Sequence, residues 1–354
     1  MIISFIGIFA MYCLLDKSGV RGGIPHIGGI MICQSVVWLL YALAHQDTSY
    51  LIRILLIFET YLALLLLFKK NVILRFATIY NWSLAIQGVL GVVAFFLLFA
   101  GLISPIAKYY FNDTRYELCY ILTCSNTVYG NFMRVGGYFD EPGALAYWGV
   151  FALVINKLTS NNKLVEYGLL FSLLFTFSAA YFAVLPIYFI CFYYKQLKKL
   201  IIIMLIGVPI VYTCWNYLSD SDYVAVYTTE RFEKGSIRST RFEQAENAKK
   251  LFYESPIIGH GAKNILENYV TATENPYETL AADGIVGTIF IYLPLIFLML
   301  KYRSDRYALY GMLILIMDYM QRPFHVNQMQ YFMLYLYSSI IIFRNVKTKE
   351  TYGK

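Results

Sequence analysis

The chain has 354 residues, of which 59% are apolar and only 14% charged, and its mean hydropathy is +0.55. Soluble domains carry roughly 25% charged residues, so this composition excludes an ordinary soluble domain and belongs to the membrane class. The formal charge of +7 requires no nucleic-acid partner, because basic residues collected beside membrane spans account for most of it.

Eleven apolar stretches are expected to form helical spans: 1–16, 24–45, 50–68, 82–106, 142–158, 164–179, 181–194, 199–217, 283–300, 307–320 and 329–343. Each must be helical, since hydrocarbon offers no water to satisfy backbone polar groups. No basic segment precedes the first stretch and no A-x-A-like cleavage signal follows it, so it is expected to stay in the membrane. Basic residues sit in the loops after odd-numbered spans, from Lys17 and Arg21 to Lys301, Arg303 and Arg306. The tail adds Arg344, Lys347, Lys349 and Lys354, whereas the short loops on the other side carry only Arg322. The positive-inside rule then expects a cytoplasmic C-terminus, with the N-terminus and two long loops, 107–141 and 218–282, outside. Three ionisable groups fall within spans. Arg53 is expected to snorkel to the outer interface, Glu59 lies deeper in the same span, and Asp318 is expected to pair with Arg322 four residues on.

The first long loop is rich in tyrosine and holds Cys119 and Cys124, which form either a disulfide or two buried thiols. No Cys/His cluster has zinc spacing, so no metal is expected. The loop ends in Arg134-Val-Gly136-Gly137-Tyr138-Phe139-Asp140-Glu141-Pro142. The glycines suit a tight turn, Pro142 suits a first helical turn, and Asp140 or Glu141 can cap it.

The second long loop carries a predicted helix over 241–254. Thr240 and Glu243 match a capping box. Phe242, Ala245, Ala248, Leu251 and Phe252 form an apolar face that would lie flat in the membrane interface. Glu254-Ser255-Pro256 ends the helix, and Gly259 and Gly261 bracket a turn around His260. At the helix start, Arg231, Lys234, Arg238 and Arg241 offer either bidentate phosphate contacts or attraction to anionic headgroups. Glu274, Asn275, Glu278 and Asp283 converge on the ninth span. A carboxylate there is a general base if desolvation raises its pKa, and otherwise a cap or a solvated acid. Gly284 and Gly287 would allow close helix packing.

RVGGYFDEPGALAYW in the first loop resembles the "F-x-E/N-P" element of O-antigen polymerases (the Wzy family), which are related to O-antigen ligases. RFEQA…PIIGHG, followed by ENPYETLAADGIVG, is similar to their arginine-helix and "PxxGxG" elements. The resemblance implies an all-α polytopic membrane protein of GT-C-like architecture with two large extracytoplasmic loops, in a bacterial inner membrane. It implies metal- and cofactor-independent glycosyl transfer between undecaprenyl-pyrophosphate-linked glycans, with the bilayer as surroundings and a chain-length regulator as a further partner. On matching positions Arg134 and Arg241 hold the pyrophosphate and Arg238 assists. Ligase-like members place a His where Glu274 stands, so either Glu274, Glu141 or His260 is the base or base help is minor because the leaving group is already good, and polymerase is favoured over ligase. Asn275 and Arg322 are further candidate substrate contacts. Tyr138 and Tyr277 are candidates to stack on sugars or to act as interface aromatics. The rival class is a flippase for lipid-linked oligosaccharides, which would place charges along a central cavity.

Overall fold

The computed structural model describes residues 25–69, 72–110, 116–196, 236–272, 275–321 and 328–352. The expected spans 1–16 and 199–217, together with Arg231, Lys234, Glu274 and Arg322, lie outside the described residues. In chain order the helices are α1 (Pro25–His45), α2 (Ser49–Lys69), α3 (Ile73–Phe99), α4 (Pro142–Leu158), α5 (Lys163–Ser172), α6 (Ala179–Tyr193), α7 (Ser236–Glu254), α8 (Ala262–Asn268), α9 (Glu278–Lys301), α10 (Arg306–Gln321) and α11 (Gln328–Tyr352). Five short strands precede α4: β1 (Ala107–Tyr110), β2 (Tyr116–Cys119), β3 (Cys124–Ser125), β4 (Val128–Tyr129) and β5 (Phe132–Met133).

Among the described residues four helical segments are long and apolar enough to cross a membrane: Ile27–His45, Ser49–Phe68, Ile73–Phe99 and Glu278–Lys301. The chain is thus a mostly helical, membrane-embedded protein. The limits of α1, α2 and α4 fall within a residue of those expected from the apolar runs, but α3 does not. It begins at Ile73 rather than 82, because the apolar pattern continues through Arg75. It also ends at Phe99 rather than 106. Gly101, at φ 70°, lets the amides of Gly101 and Leu102 turn back to the carbonyls of Leu98 and Leu97, a Schellman closure that stops the helix.

Two compact units form. The first contains α1, α2, α7 from Arg241 onward, α8, α9, α10 as far as Met312, and α11 from Gln328, with Tyr319 also included. In it α2 packs on α1 and α11, and α9 on the same two helices. Its core includes Trp38, Tyr50, Ile57, Ile291, Leu295 and Tyr335.

The second unit contains α3 from Thr78, all five strands, α4, α5, α6 and Leu313–Asp318. Every residue of α4 except Gly143 is buried. A side chain at Gly149 would start 2.6 Å from Leu173, so this glycine is what lets the turn after α5 approach. In place of the expected spans 164–179 and 181–194 stand two short helices. α5 has 10 residues and continues as a 3-10 turn to Thr176, Phe177 adopts a left-handed backbone, and α6 has 15 residues. Each is shorter than the ~20 residues of a full crossing. Glu166 in α5 is fully buried between Lys157 at 2.6 Å and Lys163 at 2.9 Å, with hydroxyl donors from Tyr188 and Tyr193. Lys157 and Lys163 thus neutralise a buried acid. The stretch 107–141 is not purely irregular. β1, β2 and β3 form an antiparallel sheet with Ala107 opposite Cys119 and Cys119 opposite Cys124, and β4 pairs with β5. These two small sheets add to an otherwise mostly helical protein. The strands are short, and tyrosine, valine and phenylalanine among their residues suit the extended backbone.

Candidate functional site at the break in α9

α9 is broken in its second turn. Gly284 has φ 63° and ψ −170°, a conformation essentially confined to glycine. A break in a helix leaves carbonyls and amides without intrahelical partners, and here the Pro256–Gly261 turn supplies them. The amides of His260 and Gly261 donate to the carbonyls of Ala281 and Ala282, each at 2.9 Å. Those of Ile285 and Val286 donate to Pro256 at 2.9 Å and Ile257 at 3.2 Å. The backbones touch. A Cβ on Gly259 would lie 2.3 Å from the Ala282 carbonyl oxygen, and one on Gly284 would lie 2.3 Å from that of Ile257. Gly284 therefore serves a backbone contact rather than the expected helix packing. Gly287 does allow close packing, since its Cβ would sit 3.2 Å from the Tyr41 hydroxyl.

Asp283, beside the break, is fully buried. Its Oδ2 accepts from Arg53 Nη1 at 2.8 Å, its Oδ1 from the Tyr50 hydroxyl at 2.7 Å, and its carbonyl from the Tyr41 hydroxyl at 2.7 Å. The Arg53 guanidinium lies 4.8 Å from the Trp38 ring and 4.6 Å from the Tyr50 ring, in the range of cation–π attraction. Arg53 thus does not snorkel. It is fully buried because an acid at the same level neutralises it.

The α1–α2 connection holds the rest of the turn. The Ala262 amide donates to Tyr50 at 3.1 Å, the Lys263 amide to Asp47 Oδ2 at 2.9 Å, and the Ser49 amide to Asp47 Oδ1 at 2.8 Å. Burial works against ionisation of Asp47, but these amide bonds outweigh it and lower its pKa. His45 Nε2 lies 3.1 Å from the Ile258 carbonyl.

α7 is fixed to the same body. Ala248 and Leu251 form a buried cluster with Ile265, Ala281 and Ala282, so this part of the apolar face is covered by protein rather than lying flat on lipid. α7 also starts at Ser236, not 241. Thr240 and Glu243 therefore fall inside the helix, and the capping-box match does not mark its start. Arg238 and Arg241 both lie on α7. Asn275 is buried, donates to the Gln244 carbonyl at 3.4 Å and accepts from the Tyr277 amide at 2.9 Å, tying the start of α9 to α7. His260 Nε2 is 2.8 Å from the Leu251 carbonyl and 3.7 Å from Glu254, so it braces the turn. Tyr277 stands at the N-cap position of α9, exposed.

The other candidates belong to the second unit. Arg134 donates from Nε to the Thr176 carbonyl at 2.8 Å and from Nη2 to the Phe177 carbonyl at 3.2 Å, closing the end of the 3-10 turn. Glu141 occupies the N-cap position of α4, but its side chain makes no capping bond, contrary to the expected cap. Tyr138 is exposed, and its hydroxyl donates to Ile121 at 3.1 Å. Cys119 and Cys124 are disulfide-bonded, which resolves the two alternatives.

The structure therefore unites His260, Asn275, Tyr277 and the α7 backbone with Asp283, one of the acids expected at the ninth span, and adds Arg53, Tyr50 and Asp47, which were not predicted as site residues. The available signal was an arginine inside an apolar span, costly unless paired. Comparison with protein-family models, with curated proteins and with solved structures found no match for this chain.

Proposed function

We propose that the chain polymerises undecaprenyl-pyrophosphate-linked oligosaccharide repeat units at the outer face of a bacterial cytoplasmic membrane, without a metal or cofactor. The observation that carries this reading is the backbone clasp between Pro256–Gly261 and the break at Gly284. It joins α7, the bearer of Arg238 and Arg241, to a helix of membrane-crossing length. A guanidinium that binds a lipid pyrophosphate must be held at a fixed depth beside the bilayer, and such a joint provides that.

In this reading Arg241, helped by Arg238, stabilises charge developing on the leaving pyrophosphate. The resemblance also implies a pyrophosphate role for Arg134, part of whose guanidinium is engaged by Thr176 and Phe177. The bond from the anomeric carbon to the pyrophosphate breaks, and a glycosidic bond forms to a hydroxyl of the incoming repeat unit. That hydroxyl's proton passes to a carboxylate, Glu141 or Glu274. Asp283 is unsuited to this task, because both its oxygens accept hydrogen bonds from Arg53 and Tyr50. A chain-length regulator is a further candidate partner. A glycan ligase would use the same arginines, but Glu274 in place of a histidine favours the polymerase.

One observation favours a flippase instead: charges buried at membrane depth, as Arg53 and Asp283 are, often line transport paths. Here two tyrosine hydroxyls and the break in α9 close the pair into a fixed joint, which suits an anchor better. Complementation separates the readings. A polymerase-null strain accumulates single lipid-linked repeats and regains long glycan ladders with the wild-type chain, but not with well-expressed Arg241→Ala. Full ladders from Arg241→Ala and Arg134→Ala would refute the pyrophosphate assignment.

A further inference from the structure

Strands β2 and β3 bring three metal-competent groups together away from the clasp. Glu117 and Cys119 are two apart on β2 and so emerge on one face. Cys124 on β3 is the direct cross-strand partner of Cys119. A carboxylate oxygen and the two sulfurs lie within 4.8 Å of one another, and all three residues are buried. The sulfurs are joined as a disulfide. Glu117, only 7% exposed, keeps a buried oxygen, Oε1, with no hydrogen-bond partner among the described residues. Burial and the nearby charge of Asp140 both raise its pKa. Burying a carboxyl oxygen without a partner is unfavourable, and nothing in the hairpin's packing accounts for it.

We propose that reduction of Cys119–Cys124 turns this face of the hairpin into a site for a thiophilic divalent cation such as Zn2+, held by two thiolates and the Glu117 carboxylate. A dithiol reductant supplies two electrons and two protons, cleaves the S–S bond and leaves as its own disulfide. As the metal binds, the two thiols release two protons, and two metal–sulfur bonds and one metal–oxygen bond form. Three protein ligands leave the fourth tetrahedral position to water. The sulfurs would have to part to roughly 3.8 Å, the spacing set by two Zn–S bonds, which side-chain rotation about facing positions allows. Cation binding also removes the repulsion between Glu117 and Asp140. The disulfide withholds both thiolates, so metal affinity would follow redox state. Cys/His spacing could not reveal this set, because one of its ligands is a glutamate.

The test uses the full chain in detergent with Cys13, Cys33, Cys191 and Cys214 replaced by alanine, so that only this pair reacts. The protein is reduced, freed of reductant anaerobically, and titrated with Zn2+ and with Co2+ as a spectroscopic probe. Reduced protein is expected to bind one equivalent, with sulfur-to-cobalt charge-transfer absorption, and oxidised protein and C119S/C124S none. Glu117→Gln is expected to weaken binding by about tenfold or more, as loss of one of three ligands would. Reduced protein that binds no more metal than C119S/C124S would overturn the site. Undiminished affinity in Glu117→Gln would overturn the three-ligand assignment.

Discussion

Arg53 Nη1 lies 2.8 Å from Asp283 Oδ2, with neither side chain exposed, and this bond joins α2 to the break in α9. Removing one member leaves the other charged and buried, which typically costs ~3–5 kcal/mol. Arg53→Met and Asp283→Leu should each lower unfolding stability by that order in detergent. The double variant Arg53→Met/Asp283→Leu should recover much of the loss. A double-mutant cycle by denaturant unfolding measures the coupling, and purely additive losses would show that the pair does not act as a unit.

The clasp depends on two glycines. Gly284→Ala and Gly259→Ala place a methyl 2.3 Å from a carbonyl oxygen at positions of positive φ, so each should cost ~2–4 kcal/mol through strain and lost backbone bonds. Hydrogen exchange at the amides of His260, Gly261, Ile285 and Val286 should accelerate together in either variant. Gly29, with open space around it, is the control and should tolerate alanine.

Asp47 and Glu117 should respond to pH in opposite senses. Asp47 has a lowered folded pKa, so its stabilisation is present above the unfolded carboxylate value near 4 and is lost as pH falls through the folded value. Asp47→Asn should therefore be less stable than wild type at neutral pH, with the gap closing in acid. Glu117 has a raised folded pKa, so its ionisation disfavours folding as pH rises. Glu117→Gln should be more stable than wild type at pH 7 in metal-free oxidised protein and equal to it near pH 3. Thermal unfolding across pH reads both.

Arg134 closes the turn at Thr176 and Phe177. Arg134→Lys keeps charge but loses the planar fork, so stability should fall by ~1–2 kcal/mol, the scale of one or two charge-assisted bonds. If Arg134 also binds pyrophosphate, glycan synthesis should fall at least tenfold at 20 °C, where the variant stays folded. Synthesis that merely tracks the folded fraction would assign Arg134 a structural role alone.

The long helices α1, α2 and α4 were legible because continuous apolar runs with clear ends admit one reading. The turn at Pro256–Gly261 was legible from its proline and glycines, but not its partner, because the Gly284 break lies in a segment that reads as unbroken helix. Arg53–Asp283 was hidden by a sequence separation of 230 residues, and because Asp283 resembled a loop acid. The Thr240–Glu243 match misled because a local spacing cannot say whether a helix already runs through it. Arg134 stood out in the sequence only through the motif around it, and its carbonyl partners, which come from the chain 42 residues later, were not legible.

The central claim is tested most directly by reconstitution. Purified protein in lipid bilayers, supplied only with undecaprenyl-pyrophosphate-linked repeat units, should build lipid-linked glycan of increasing length and release the free carrier. Arg241→Ala, folded to the same extent, should leave the repeats single. Repeats that stay single with wild-type protein, or that merely change leaflet, would contradict the account.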